Sequence, residues 1–355
     1  MSRLPAQIAA LEPFDAGIED EATARRRCEE FRGVATLLRT EVGKRLVGQR
    51  EVVEQTLWAL LAGGHVLLEG VPGLGKTLLV RTLGDAFALE FARIQFTPDL
   101  MPADIVGTQI LLEDQHGHRT MQFRPGPIFT QILLADEINR ATPKSQSALL
   151  EAMQERAVTV GGQTHRLRAP FLVLATQNPI EQEGTYPLPE AQLDRFLLKI
   201  EVPSVQRADL MEILRRTTVS GEPAVAPVLD GERILQAQRL ARRIVVAEPV
   251  QDYVIRLVLA THPGGDYADE RTARDIAVGA SPRAAQAIIT AGKVRALLDG
   301  RFHLSIADVH AVAPAALRHR IAPSFEAEAD GRDSDAIVRG ILERLPREAA
   351  PEPAP

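Results

Sequence analysis

One stretch constrains this chain more than any other. Gly70-Val71-Pro72-Gly73-Leu74-Gly75-Lys76-Thr77 fills every fixed position of the pattern G-x-x-x-x-G-K-[ST]. Val66, Leu67 and Leu68 ahead of it form a short apolar run that reads as a buried strand. Leu79, Leu83, Ala86 and Phe87 behind it recur at helical spacing. Strand, loop and helix in that order predict a phosphate cradle. The glycines turn backbone N–H groups inward, and the helix adds the positive end of its dipole. Lys76 is then expected to reach the β- and γ-phosphates of ATP, and Thr77 to hold Mg²⁺. A bare glycine-rich turn with an exposed lysine would need neither the strand nor the helix.

Further apolar runs extend this plan. Strands are expected at 66–68, 93–96, 132–135, 171–175 and 196–202, with helical stretches between them. That alternation predicts an α/β core with a largely parallel five-stranded sheet and ligand groups at the carboxyl ends of its strands. Two insertions interrupt it. Ile110 to Leu112 and Thr120 to Phe123 flank a turn at 114–118, and Gly161-Gly162 divides a second alternating run, so two β-hairpins are expected. Residues 1–20 read as a flexible arm and 21–202 as the core with its leading helices. Residues 203–345 read as an all-helical domain, and 346–355 as a disordered tail rich in Pro, Ala and Glu. The 355 residues suit about two domains.

The formal net charge of −6 argues against a chain that is basic throughout for nucleic acid. A single cysteine, Cys28, forbids an intramolecular disulfide, and together with ATP chemistry it points to a reducing cytosol. No apolar run approaches the ~20 residues that span a bilayer. Residues 1–20 lack the basic start and apolar centre of a secretion signal.

Other residues carry chemistry. Ile132-Leu133-Leu134-Ala135-Asp136-Glu137 puts two carboxylates at the end of a buried strand, about sixty residues past the phosphate loop. Asp136 is placed to hold the Mg²⁺ shell, and Glu137 to orient or deprotonate an attacking water. Asn178 ends the next run and can hold that water or the γ-phosphate; an Asn-Pro turn is the plainer alternative. Ser281-Pro282-Arg283 reads as an N-cap, a first-turn proline and a first-turn cation. The helix dipole disfavours that cation, and a nearby γ-phosphate would explain it. Arg195, just before the fifth strand, reads either as an arginine finger acting on another subunit or as a surface partner of Asp194. The eight histidines form no metal-binding set.

Taken together, these fragments resemble the MoxR branch of the AAA+ ATPases over about residues 40–325. Phe-Arg-Pro-Gly-Pro-Ile-Phe at 123–129, Ala-Asp-Glu-Ile-Asn-Arg-Ala at 135–141 and Leu-Leu-Glu-Ala-Met-Gln-Glu at 149–155 carry the resemblance, with the phosphate loop. So do Ala-Thr-Gln-Asn-Pro at 175–179, Pro-Glu-Ala-Gln-Leu-Asp-Arg-Phe at 189–196 and Ser-Pro-Arg at 281–283. The resemblance implies a Walker A loop running from Gly70 through Pro72, Gly73, Leu74, Gly75, Lys76 and Thr77 to Leu78, and a Walker B pair at Asp136 and Glu137. It also implies sensor 1 at Asn178, an arginine finger at Arg195, sensor 2 at Arg283 and an adenine-contacting turn at Val47, Gly48 and Gln49. The hairpins correspond to the helix-2 and pre-sensor-1 inserts, and the helical region to the lid. Such proteins are thought to form hexameric rings that act as chaperones, often with a von Willebrand factor A-domain (VWA) partner. The resemblance therefore implies an ATP-hydrolysing remodelling chaperone acting on a client complex. A nucleic-acid-remodelling AAA+ motor, a chelatase-type subunit for metal insertion and a nucleotide-gated scaffold remain the alternatives.

Overall fold

The fold is that of a computed structural model, which describes residues 4–18, 20–113, 118–179, 185–218, 221 and 223–348. Its centre is a five-stranded sheet of β1 (Val66–Glu69), β2 (Phe91–Gln95), β5 (Ile132–Asp136), β8 (Leu172–Gln177) and β9 (Leu198–Glu201), in the order β2-β5-β8-β1-β9. Every neighbouring pair is parallel. The alternation of side chains along a strand divides the apolar residues between two cores. Val66, Leu68, Ile132, Leu134, Leu172 and Leu174 face the larger one. Leu67, Leu133, Ala135, Val173 and Ala175 face the smaller one. Both faces are therefore covered, as parallel sheets require, and all polar chemistry is pushed to the strand ends.

The two hairpins form as expected: β3 (Gly107–Glu113) with β4 (Arg119–Pro125), and β6 (Ala157–Val160) with β7 (Gln163–Arg166). Residues 114–117 of the first turn lie outside the described residues. The hairpins are not independent. The ring of Phe123 in β4 stacks on that of His165 in β7, with centroids 4.0 Å apart and an interplanar angle of 17°. Phe129 meets Phe123 edge-on at 5.5 Å. The two inserts thus share one aromatic joint.

Three expectations on domain organisation need correction. The arm is docked rather than loose. Phe14 is fully buried, edge-on to Phe31 at 5.1 Å and beneath the guanidinium of Arg233. Arg233 also donates to the Glu12 carbonyl at 2.8 Å, and Arg239 pairs with Asp15 at 2.5 Å. Phe14 and the likewise buried Ile8 supply the anchor. Next, the C-terminal region is not wholly helical, because β10 (Ile276–Val278) and β11 (Ala322–Pro323) form a small antiparallel pair inside it. Finally, the start of the expected tail is held: Arg256 donates to the carbonyls of Pro346 at 2.7 Å and Arg347 at 3.2 Å. Residues 349–355 lie outside the described residues. Among the described residues, no helix is long and apolar enough to cross a membrane.

Candidate nucleotide site

The loop after β1 has the conformation its glycines require. Gly73 and Gly75 have φ of +85° and +76°, values that side-chain-bearing residues rarely adopt. A Cβ built on Gly73 would meet nothing within 4 Å, so it is the backbone angle and not crowding that calls for glycine there. Helix Lys76–Ala86 starts at Gly75 with no side-chain cap and no acidic residue in its first turn. Its first N–H groups and its positive dipole end therefore face the loop without a built-in anion, which fits a phosphate. Lys76 Nζ donates to the Gly70 carbonyl inside the loop. Burial pulls the Lys76 ammonium below its ordinary pKa, while Asp136, Glu137 and Glu69 push it back up. Thr77 is exposed at the head of the helix.

The turn expected at the adenine reaches the same loop. Gln49 Nε2 donates to the Leu74 carbonyl at 2.5 Å, and its Oε1 is buried without a partner. An adenine amino group is the kind of donor such an acceptor takes. Helix Arg207–Thr217 closes over this turn. Gly48 leaves no room for a side chain there, because a Cβ would lie 2.3 Å from the carboxyl carbon of Asp209.

Across the strand ends stands the carboxylate pair. Parallel register brings Gln95 beside Asp136 and Gln177 beside Glu69. Gly70 N–H donates to the Gln177 carbonyl at 3.3 Å. Asn178 therefore leaves the sheet between the loop and the strand bearing Asp136 and Glu137. Thr176, which drew no attention in the sequence, organises both acids. Its hydroxyl donates to Asp136 Oδ1 at 2.6 Å and accepts from the Glu137 N–H at 2.8 Å. Glu137 has φ of +55°, a strained left-handed conformation for a glutamate. Such strain, of order 1–3 kcal/mol, persists where the surroundings over-determine it and clusters at working sites. Its carboxylate is held by Gln95 Nε2 at 3.0 Å and Arg140 Nη1 at 2.8 Å. Arg93 pairs with Asp136 at 2.7 Å. Arg93, Gln95 and Arg140 were all missed; a basic and an amide residue in a strand pattern otherwise apolar were the available signal. Asp136 and Thr77 are residues suited to Mg²⁺, which takes carboxylate and hydroxyl oxygens.

Arg195 and Arg283 stand elsewhere. β9 runs parallel to β1 with Leu198 beside Val66 and Glu201 beside Glu69. The phosphate loop follows Glu69 at the carboxyl edge, whereas Arg195 precedes Leu198 at the amino edge. Arg283 accompanies Arg195 there, in a cleft of about 350 Å³ that also includes Gly63, Gln154 and Arg156. The anion beside Arg283 at its helix N-terminus is Asp194, 3.6 Å away. Ser281 caps that helix, accepting from the Arg283 N–H at 3.2 Å and donating to Asp194 at 2.9 Å. Asp194 also pairs at 2.7 Å with Arg320 rather than with Arg195. The nearly buried Arg320 further donates to the carbonyls of Phe196 at 2.6 Å and Leu197 at 3.1 Å. Arg320 was likewise missed, because its role depends on contacts distant in sequence.

A phosphate cradle, a carboxylate pair beside it and a helical domain beyond define a P-loop ATPase of the AAA+ class. Comparisons with known proteins agree. Residues 65–198 match the family model "ATPase family associated with various cellular activities (AAA)", and residues 268–341 match "AAA lid domain". The chain is 45% identical to Chaperone MoxR1 of Mycobacterium tuberculosis over 86% of this chain and 80% of that protein. It is 33% identical to Protein MoxR of Methylorubrum extorquens over 89% of this chain and 96% of that one. A crystal structure of a candidate ATPase from Cytophaga hutchinsonii superposes with a TM-score of 0.84 at 41% identity, covering 92% of this chain and 98% of that one. The chain belongs to the MoxR family of AAA+ ATPases.

Proposed function

We propose that this chain is a ring-forming chaperone that hydrolyses ATP to ADP and phosphate to remodel, mature or activate a protein complex. The observation that carries the reading is the separation of the two halves of the site along one sheet. Lys76, Thr77, Asp136, Glu137 and Asn178 gather at the carboxyl edge, and Arg195 and Arg283 at the amino edge. A second subunit presenting its arginine cleft to the first subunit's loop unites them. Repeated head to tail, that contact closes a ring, with a hexamer as the expected form.

In this reading Lys76 and the loop amides bind the β- and γ-phosphates, and the Val47–Gln49 turn contacts the base. Thr77 and Asp136 hold Mg²⁺, which neutralises phosphate charge when bound. Glu137 orients or deprotonates the attacking water, and Asn178 positions it. Arg195 and Arg283 of the neighbour offset charge developing on the γ-phosphate. The joined hairpins transmit the nucleotide state to a client, with a VWA-domain protein as the expected adaptor and the cytoplasm as the setting. The relative named Chaperone MoxR1 supports the chaperone element of the reading.

Light scattering of Glu137→Gln with ATP, alongside steady-state ATPase of the unaltered chain, tests this. A defined oligomer in the first and turnover in the second are expected. A monomer at every concentration removes the ring from the mechanism. Affinity capture with Glu137→Gln in ATP then identifies the client, and stimulation of turnover by short DNA instead would favour a nucleic-acid motor.

A further inference from the structure

The metal-facing carboxylate is already occupied by a cation that belongs to the chain. Asp136 Oδ1 is taken by the Thr176 hydroxyl at 2.6 Å. Asp136 Oδ2 accepts twice from Arg93, from Nε at 3.1 Å and Nη2 at 2.7 Å. The two partners differ in exposure. The Asp136 side chain is 13% exposed, whereas that of Arg93 is 47% exposed. The carboxylate is the enclosed partner and the guanidinium the one with solvent beside it. β2 is an edge strand, so water is open to Arg93 on that side.

Arg93 also has a second attachment. Arg93 and Gln95 are two residues apart on β2 and share a face of the sheet. Arg93 Nη2 donates to Gln95 Oε1 at 2.6 Å, and Gln95 Nε2 donates to Glu137 Oε2 at 3.0 Å. The same Glu137 oxygen accepts from Arg140 at 2.8 Å. One hydrogen-bonded chain thus runs from the carboxylate that faces the metal to the carboxylate that faces the water.

Resting on the nucleotide reading above, we infer that Arg93 is a positioning residue. It is the counter-cation of Asp136 before a divalent ion arrives, and it must leave Oδ2 for the ion to coordinate there. A guanidinium and a divalent cation cannot share that oxygen without strong repulsion. When Arg93 leaves, its bond to Gln95 is broken or redirected, and the constraint on Glu137 relaxes at the same step. Metal binding and freeing of the water-activating carboxylate are therefore linked through β2. A merely structural ion pair would affect melting temperature but not metal affinity.

Mn²⁺ is the probe, titrated into full-length protein saturated with ADP and followed by the electron paramagnetic resonance of the free ion. Arg93→Gln removes the competing charge. It should tighten Mn²⁺ binding about three- to tenfold, the range set by a charge-assisted hydrogen bond weakened by exposure. Arg93→Lys keeps a competing cation and should stay nearer the unaltered protein than Arg93→Gln does. Gln95→Leu removes only the second attachment of Arg93 and should tighten Mn²⁺ binding less than Arg93→Gln does. Equal or weaker Mn²⁺ binding by Arg93→Gln overturns the inference, as does equal tightening by Gln95→Leu. Failure of the unaltered protein to bind Mn²⁺ with ADP would remove the metal site itself, a separate result. If Arg93→Gln does not fold, ¹⁵N-arginine spectra of the unaltered protein decide. The Arg93 Nε–H resonance, assigned with Arg93→Lys, must move when Mg²⁺ is added to the ADP complex, and a fixed resonance overturns the inference.

Discussion

Complementation between two inactive variants tests whether the arginines act across a subunit boundary. Arg195 enters β9 at the edge opposite the phosphate loop, and the register spans the three steps from Val66 to Glu69, about 10 Å of strand. Arg195→Ala keeps Lys76 and Glu137 but supplies no finger. Glu137→Gln supplies a finger but activates no water. Each alone should hydrolyse poorly, since a finger contributes roughly 10³–10⁵ in rate where it has been measured. In a random one-to-one mixture, a productive interface needs an Arg195→Ala subunit on the water side and a Glu137→Gln subunit on the finger side. Head-to-tail contacts put that arrangement at about a quarter of the interfaces, so about a quarter of the unaltered turnover should return. Arg283→Ala should behave in the same way, because Arg283 shares the cleft with Arg195. The assay is coupled-enzyme ATPase across mixing ratios, with co-assembly shown by pull-down of a tagged subunit. No recovery despite co-assembly refutes the trans assignment. Recovery with Arg195→Ala but not with Arg283→Ala assigns only the first to the boundary.

Other outcomes follow from single groups. Lys76→Ala should lose ATP affinity by calorimetry while Glu137→Gln retains it, and equal affinities in Lys76→Ala and the unaltered chain would remove Lys76 from the phosphates. Shortening either hairpin tip should leave basal ATPase largely intact and weaken the response to a client; full client response after both deletions would make the hairpins ornament. Arg320→Met should cost about 3 kcal/mol in urea denaturation, because it takes the donors from Asp194 Oδ1 and from the carbonyls of Asp194, Phe196 and Leu197. Buried His65 accepts from the Val173 N–H at 3.0 Å and donates to the Met153 carbonyl at 3.2 Å; burial lowers its pKa from 6.5 to about 4. Its neutral form is favoured by folding, so its contribution is intact above pH 6.5 and is lost as pH falls toward 4, roughly 2–4 kcal/mol in all. His319 shifts the same way through burial. Urea midpoints that do not fall between pH 7.5 and 5 would refute the buried neutral histidines.

What the sequence made legible was local. The phosphate loop is a run of consecutive residues whose backbone angles are dictated by glycine, and the Asp136–Glu137 pair ends an unbroken apolar run. The central strands β5 and β8 were recognisable because both faces are buried, which leaves a continuous apolar signature. The two hairpins declared themselves through turn residues and alternation. Residues that act through strand register were hidden. Arg93 meets Asp136 because β2 lies beside β5, and Thr176 meets both acids because β8 lies on the other side. Strand order is not written in periodicity. The docking of Phe14 was equally hidden, since its partners Phe31 and Arg233 come from distant helices. The partner of Arg283 within its own chain was hidden for a related reason. A cation at a helix N-terminus does call for an anion, but the sequence could not reveal that Asp194 would arrive from another element to supply it.

Arg320 and Asp194 tie the segment carrying Arg195 to the helix carrying Arg283. A guanidinium almost wholly removed from water is costly unless its donors are matched. Here Nε meets Asp194 Oδ1, while Nη1 and Nη2 take carbonyls from Ala316, Leu197, Phe196 and Asp194. Four of these five bonds fasten the segment leading into β9 to the helical domain, and Asp194 Oδ2 then holds Ser281 and faces Arg283. Arg195 lies inside the fastened segment, and Arg283 begins the helix fastened to it. In the proposed ring, a displacement of the helical domain would carry both cations together. The phosphate loop stands at the other edge of the sheet, joined to them by the parallel strands β1 and β9. In the proposed ring, each subunit binds its own nucleotide at one edge of the sheet and presents these two cations to a neighbour's at the other.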